Sequence, residues 1–130
     1  MKKILFSVLF IGHMFAFQNI EATKTNIKNF KYPIVDIRLP SEWKATGTIP
    51  KVMKITFFKS NGSINQKFLK MLKKYNITKN SKFGIICRTG HRSLIASEIL
   101  EKNGYKNVIN LKGGMFNLFK SLLKELNNGK

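Results

Sequence analysis

A single cysteine, Cys87, stands in the segment ICRTGHRS (86–93), with Arg88 directly after it, Gly90 at the centre and Arg92 five residues on. An apolar run, KFGII (82–86), precedes this segment, and a helical pattern, SLIASEILEKNG (93–104), follows it. A loop that leaves a strand and curls into a helix start turns successive backbone N–H groups toward one point, and the positive end of the helix dipole adds to them. Gly90 supplies the positive φ that so tight a loop needs. Cationic neighbours and helix N-termini favour the ionised form of a cysteine. The expectation is therefore a thiolate at the first position of the loop, facing a nest that welcomes anions, with Arg88, Thr89, Gly90, His91 and Arg92 forming the cradle. That is the equipment of a nucleophile working on an anionic substrate. The other reading is an inert buried cysteine acting as a small hydrophobe. It has no use for a glycine, two arginines and a helix start around one sulfur, so the chemical reading is preferred.

Such a loop needs a scaffold, and the flanking patterns supply one. YPIVDIR (32–38) reads as a buried strand ending at Asp36, and LPSEWKATG (39–47) as a short helix opened by Pro40 and Ser41 and stopped by Gly47. KVMKITFF (51–58) is a further strand. Ser63 and Gln66 match a capping box for a helix running to Tyr75, with Ile64, Phe68, Leu69, Leu72 and Tyr75 as its inward stripe. KFGIIC is the next strand. The helix after the loop turns Ile95, Ile99 and Leu100 inward and closes at Gly104. NVINL (107–111) is another strand, and GGMFNLFKSLLKELNNG (113–129) a final helix whose Met115, Leu118, Phe119, Leu122, Leu123 and Leu126 are apolar. Residues 23–31 read as a polar lead-in. Alternating strands and helices argue an α/β fold, with a central parallel β-sheet and helices on both faces. In such sheets ligands bind beyond the carboxyl ends of the strands, where the cysteine loop falls.

The first residues carry a different signal. MKK is followed by the apolar run Ile4–Phe17, which is short for a membrane span of about 20 residues and matches a secretory leader. Residues 1–22 are assigned to that leader and 23–130 to one domain, with a cut after Ala22 as first choice and after Ala16 as second. A retained membrane anchor is the alternative. The implied location is periplasmic or extracellular, with no stable membrane insertion once the leader is cut. An exported chain with one cysteine cannot form an internal disulfide. The formal charge is +18, from 24 Lys and Arg against 6 Asp and Glu. These lysines are spread along the chain without a basic block or an aromatic RNA-binding signature, so no nucleic-acid partner is expected. Their expected effect is a salt-screened attraction for anions and a preference for the monomer.

Three segments together resemble the single-domain rhodaneses, a sulfurtransferase family with small exported bacterial members. VDIRLPSEWKATGTIP (35–50) is similar to the family's N-terminal signature, IICRTGHRSLIASEIL (85–100) to its active loop and helix, and GYKNVINLKGGM (104–115) to its C-terminal signature. The resemblance spans roughly Ile34 to Phe119 and implies a rhodanese-like fold. It implies a two-step reaction in which Cys87 takes the outer sulfur of a donor such as thiosulfate, or a polysulfide, and passes it to a thiol, a protein acceptor or, in assay, cyanide. The backbone N–H groups of Arg88 to Arg92 would hold the persulfide, and Arg88 would contact the donor's anionic tail. Arg92 would share that role or pair with Glu42 or Asp36. Asp36, Arg38, Glu42 and Ser93 are assigned to the architecture of the site, and Gly113 and Gly114 to a tight turn against it. His91 is a loop residue without a required proton-transfer role. No metal or cofactor is expected. Thr48, Lys51, Val52 and Leu118 depart from the family pattern outside the loop, where they bear on packing or acceptor choice.

Three rivals remain. A cysteine phosphatase or arsenate reductase places its arginine six residues beyond the cysteine, where this chain has Ser93, and the shorter loop suits a single sulfur atom. A non-catalytic sulfur carrier would use the same cysteine and loop. A basic binding module would leave Cys87 incidental.

Overall fold

In a computed structural model, described here over residues 17–129, ten elements alternate along the chain. They are β1 (Gln18–Glu21), α1 (Lys24–Asn29), β2 (Ile34–Asp36), α2 (Pro40–Thr46), β3 (Met53–Lys54), α3 (Phe68–Lys74), β4 (Lys82–Ile86), α4 (His91–Lys102), β5 (Asn107–Lys112) and α5 (Gly114–Asn128). The five strands form one sheet in the order β1-β5-β4-β2-β3, and every pairing is parallel. The α/β expectation holds: helices flank the sheet, and its two faces bury separate cores.

Strand alternation sends neighbouring residues to opposite faces. Val35, Phe83, Ile85 and Val108 face a core closed by Phe68 and Leu72 of α3 and Ala96 and Leu100 of α4. Ile34, Ile86, Ile109 and Leu111 face the other, closed by Met115 and Leu118 of α5, with Ile27 of α1 and Phe30 packed at its edge. Because both faces are covered, the central strands read as continuous apolar runs.

The sheet begins earlier than the sequence reading placed the domain. Residues 18–21 pair with 109–112 of β5, and the Ala22 N–H donates to the Lys112 carbonyl at 2.8 Å. Ala22 is buried. A cut after Ala22 would remove an edge strand, whereas a cut after Ala16 leaves it whole. Most of the leader assignment, residues 1–16, lies outside the described residues. The lead-in at 23–31 also holds a helix: the Thr23 hydroxyl accepts from the Asn26 N–H at 3.2 Å and so opens α1.

Two further expectations fail locally. The capping box at Ser63 and Gln66 does not form, because the Ser63 hydroxyl donates instead to Asn61 Oδ1 at 2.6 Å. Asn65 takes over the helix entry, its side chain accepting from the Lys67 N–H and donating to the Thr56 carbonyl. α3 consequently starts at Phe68, and of the expected stripe only Phe68 and Leu72 are buried while Ile64, Leu69 and Tyr75 are exposed. The strand expected over 51–58 is regular only at Met53–Lys54. Its ladder continues loosely through the Ile55 N–H to Asp36 and the Phe57 N–H to Ile37.

Candidate functional site

Three strand ends converge on the carboxyl edge of the sheet: Asp36 of β2, Ile86 of β4 and Lys112 of β5. The loop 87–90 leaves β4 there. Gly90 takes a left-handed conformation (φ 99°) as N-cap of α4, as the sequence requires. The Cys87 sulfur is the hub of this loop. It accepts the Gly90 N–H at 3.1 Å and the Ser93 N–H at 3.4 Å, and its thiol lies 3.4 Å from Ser93 Oγ as donor. Ser93, buried, directs its hydroxyl in turn to the Gly90 carbonyl at 3.2 Å. An ionised sulfur in this position keeps both N–H donors, and the Ser93 hydroxyl can rotate to become a third. Of the five loop N–H groups expected around the sulfur, Gly90 supplies one; Ser93, assigned only to architecture, supplies another.

The sequence places the sulfur facing a nest that welcomes anions, yet Cys87 is 0% exposed. Its side chain belongs to the core shared with Val35, Ile37 and Ala96, while the turn at Gly113–Gly114 lies against the backbone of the loop. Both glycines have positive φ, a Cβ on Gly114 would collide with the Cys87 carbonyl oxygen, and one on Gly90 would come within 2.8 Å of the Gly113 nitrogen. The start of α5 is tied down as well, the Met115 and Phe116 N–H groups donating to the carbonyls of Cys87 and Arg88, each at 2.9 Å. Within the loop 87–90 only Arg88 and Thr89 are exposed, with His91 exposed at the first turn of α4.

The three arginines near the loop are held differently. Arg38 is 1% exposed; its guanidinium donates to both oxygens of Asp36 (2.8–3.1 Å) and reaches across to the Thr46 hydroxyl and the Gly47 carbonyl. This fixes the end of α2 against β2. Arg92 forms a two-point pair with Glu42 of α2 at 2.7 and 2.8 Å. The hydrogen bonds from Arg92 hold the Glu42 carboxyl below its ordinary 4.5, and the same bonds raise Arg92 further. Arg88 has no carboxylate partner among the described residues. Asp36, Arg38 and Glu42 thus stand as braces, Arg92 joins them through Glu42, and of these three arginines Arg88 is the one without a carboxylate partner among the described residues.

Beside Arg88 opens a cleft of about 400 Å³ between α2 and α5, walled by Glu42, Ala45, Met115, Phe116 and Phe119. The sequence reading gave Phe119 as one of the apolar residues of this helix, without an orientation, and did not single out Phe116. Both are exposed, and α5 buries Met115 and Leu118 instead. The signal was present: Phe116 falls between the inward positions Met115 and Leu118, so it must point elsewhere. Among the described residues no group of three or more His, Cys, Asp or Glu is placed to hold a metal.

Comparison with known proteins agrees with this geometry. A family model described as rhodanese-like domain matches residues 19–121. The uncharacterized protein RP600 of Rickettsia prowazekii is 33% identical over 105 residues, which cover 75% of this chain and 82% of RP600. The rhodanese-like domain protein of Staphylococcus aureus superposes with a TM-score of 0.59 at 29% identity, covering 77% of this chain and 89% of that one. SSP1007 of Staphylococcus saprophyticus gives 0.57 at 30% identity, with coverage of 75% and 89%. With a single cysteine at the hub of its β4–α4 loop and the matched model spanning nearly all of the described sheet, the chain belongs to the rhodanese-like domain family, a family of sulfurtransferase type.

Proposed function

We propose that this protein is a thiosulfate-type sulfurtransferase that carries sulfur as a persulfide on Cys87. The observation that supports this most directly is the convergence of the Gly90 and Ser93 N–H groups on the Cys87 sulfur at the start of α4. Donors fixed in the fold before reaction stabilise a sulfur anion without reorganising. In the first half-reaction the Cys87 thiolate attacks the outer sulfur of thiosulfate. The new S–S bond forms as the old one breaks, and sulfite leaves with the electron pair. In the second, a thiophile attacks the terminal sulfur and restores the thiolate. Because Cys87 is covered, the exposed rim of Arg88 and Thr89 has to shift for the donor to enter. Arg88 meets the donor's anionic tail. The protein works outside the cytoplasm as a monomer, on small anionic sulfur donors and a thiol or protein acceptor.

Incubation with thiosulfate followed by intact-mass spectrometry should show the gain of one sulfur atom, removed by cyanide as thiocyanate and absent from Cys87→Ser. No gain from thiosulfate or polysulfide in the wild type would end this reading. A sulfur carrier is the second reading, and the full burial of Cys87 favours it, since a sequestered persulfide turns over slowly with free acceptors. One sulfur loaded without turnover to cyanide would select it. A phosphatase is disfavoured, because Ser93 occupies the sixth position after the cysteine and Arg92 is committed to Glu42.

A further inference from the structure

The last helix buries only part of its apolar side. Met115 and Leu118 of α5 are buried and Leu122 packs at the edge of the same core, whereas Phe116, Phe119, Leu123 and Leu126 are 58, 36, 60 and 67% exposed. Their spacing along the chain sets all four on one side of the helix. At 1.5 Å per residue they form a ridge about 15 Å long. From Leu123 to Gly129 every residue is exposed, so the last turns of α5 stand clear of the sheet. Turns that touch so little of their own domain have no internal use for leucines at 123 and 126. Scattered exposed apolar residues are ordinary, but four in register along one helix mark a docking surface.

The charge around the ridge selects what docks there. Lys120 and Lys124 follow one of its borders, and the Lys120 ammonium lies 5.7 Å from the centre of the Phe116 ring. Neither lysine has a carboxylate partner among the described residues, and the one acidic residue of the helix, Glu125, is bound by Lys24 of α1. The border is therefore cationic, on a chain of net charge +18. A second copy would set like charge against like charge, which opposes self-pairing. An apolar ridge of Phe and Leu bordered by lysines fits the boundary between acyl chains and anionic headgroups. Among the described residues no helix is long and apolar enough to cross a membrane, so the contact is one of lying on the surface.

We infer that α5 is a membrane-docking helix. It adsorbs to an anionic lipid surface with Phe116, Phe119, Leu123 and Leu126 turned toward the acyl chains and Lys120 and Lys124 at the headgroups. This binding goes beyond the chemistry at Cys87 and does not depend on it.

Sedimentation of the full chain with lipid vesicles tests the inference. Vesicles of equimolar phosphatidylglycerol and phosphatidylcholine should carry the protein down, and added salt should weaken the binding. Leu123→Ser combined with Leu126→Ser, both on the exposed turns, should lower the partition about tenfold, as two partly buried leucines predict. Circular dichroism and persulfide formation on Cys87 should stay as in the wild type. The apolar run at 4–17 can itself enter lipid, so a local reporter is needed. Trp43→Phe combined with Leu123→Trp moves the one tryptophan of the chain onto the ridge, where brominated phosphatidylcholine should quench it. Binding that the double leucine variant retains, with the Leu123→Trp fluorescence unquenched, would overturn the assignment and hand the attachment to the residues before β1. Absence of binding to the anionic vesicles would overturn it as well. A dimer that the double leucine variant loses would then give the ridge to a second copy, and a strict monomer would leave it to a protein partner.

Discussion

The two shoulders of the Cys87 loop are built on opposite plans. On the α2 side both carboxylates are answered: Asp36 by Arg38, both side chains 1% exposed, and Glu42 by Arg92. On the α5 side the rim carries Arg88 without a partner, beside exposed aromatic rings. The first shoulder holds the loop in place, and the second is left open for something else to occupy. Charge that is paired inside the fold cannot also serve a ligand. The two arginines that flank the Cys87 loop, Arg88 within it and Arg92 on α4, are therefore divided between the two tasks by what α2 offers them.

The largest expected effect comes from opening the closed shoulder at its base. Asp36→Asn leaves a buried guanidinium without its counter-charge, and removing one partner of such a pair costs about 3–5 kcal/mol. Urea denaturation should record that loss. The double replacement Asp36→Leu with Arg38→Met should recover part of it, since apolar substitutes for buried pairs are often tolerated. It should not recover all, because the ties from Arg38 to Thr46 and the Gly47 carbonyl go too. Full recovery would mean that Arg38 does not anchor α2.

Glu42→Gln should cost less, about 1–2 kcal/mol, since the Glu42–Arg92 pair is half-buried and one hydrogen bond can survive. It should also slow persulfide formation, because α4 starts from the residues this pair steadies. A loss of stability with unchanged persulfide formation would confine Glu42 to packing.

The same pair predicts a pH dependence. Hydrogen bonds from Arg92 hold the Glu42 carboxyl below its ordinary 4.5 in the folded chain. A depressed carboxylate contributes stability that is fully present above the unfolded value and disappears as pH falls through the folded one. The difference in stability between wild type and Glu42→Gln should therefore be constant from pH 7 to about 5 and shrink below that. Arg92, raised by the same hydrogen bonds, adds no titration in this range. A difference that grows on acidification would put another group in control.

What the sequence disclosed follows the same division. The strand KFGII, the glycine at the loop's turn and the apolar alternation on both faces are dictated by local chemistry, and they were legible. So was the possibility that Arg92 pairs with Glu42, though not its outcome, since a contact across 50 residues depends on how α2 is placed. β1 was hidden because Gln18–Glu21 follows directly on an apolar run, and only its partner β5 makes it a strand. α1 was hidden because a six-residue helix with one inward residue, Ile27, leaves almost no periodic trace. The burial of Cys87 was out of reach for a similar reason. It depends on Val35, Ile37 and Ala96 meeting around the Cys87 side chain, which only the assembled sheet and α4 bring together.

The smallest effect on stability should come from the open shoulder, where Arg88→Ala removes an exposed, unpaired side chain and should change unfolding free energy by no more than about 0.5 kcal/mol. Its effect on function should be the opposite in rank. Losing the one unpaired guanidinium of the cleft should raise the thiosulfate KM about tenfold, or about 1.4 kcal/mol, a fraction of a charge-assisted contact because water still reaches the rim. Added salt should raise the wild-type KM toward that of the variant, since screening weakens a solvent-facing cation more than a buried one. Arg88→Lys should restore part of the loss, as it keeps the charge but not the planar fork that meets two oxygens at once. An Arg88→Ala protein that melts early while binding donor normally would exchange the roles of the two shoulders, making Arg88 a brace and leaving the donor's negative charge to the backbone of the loop.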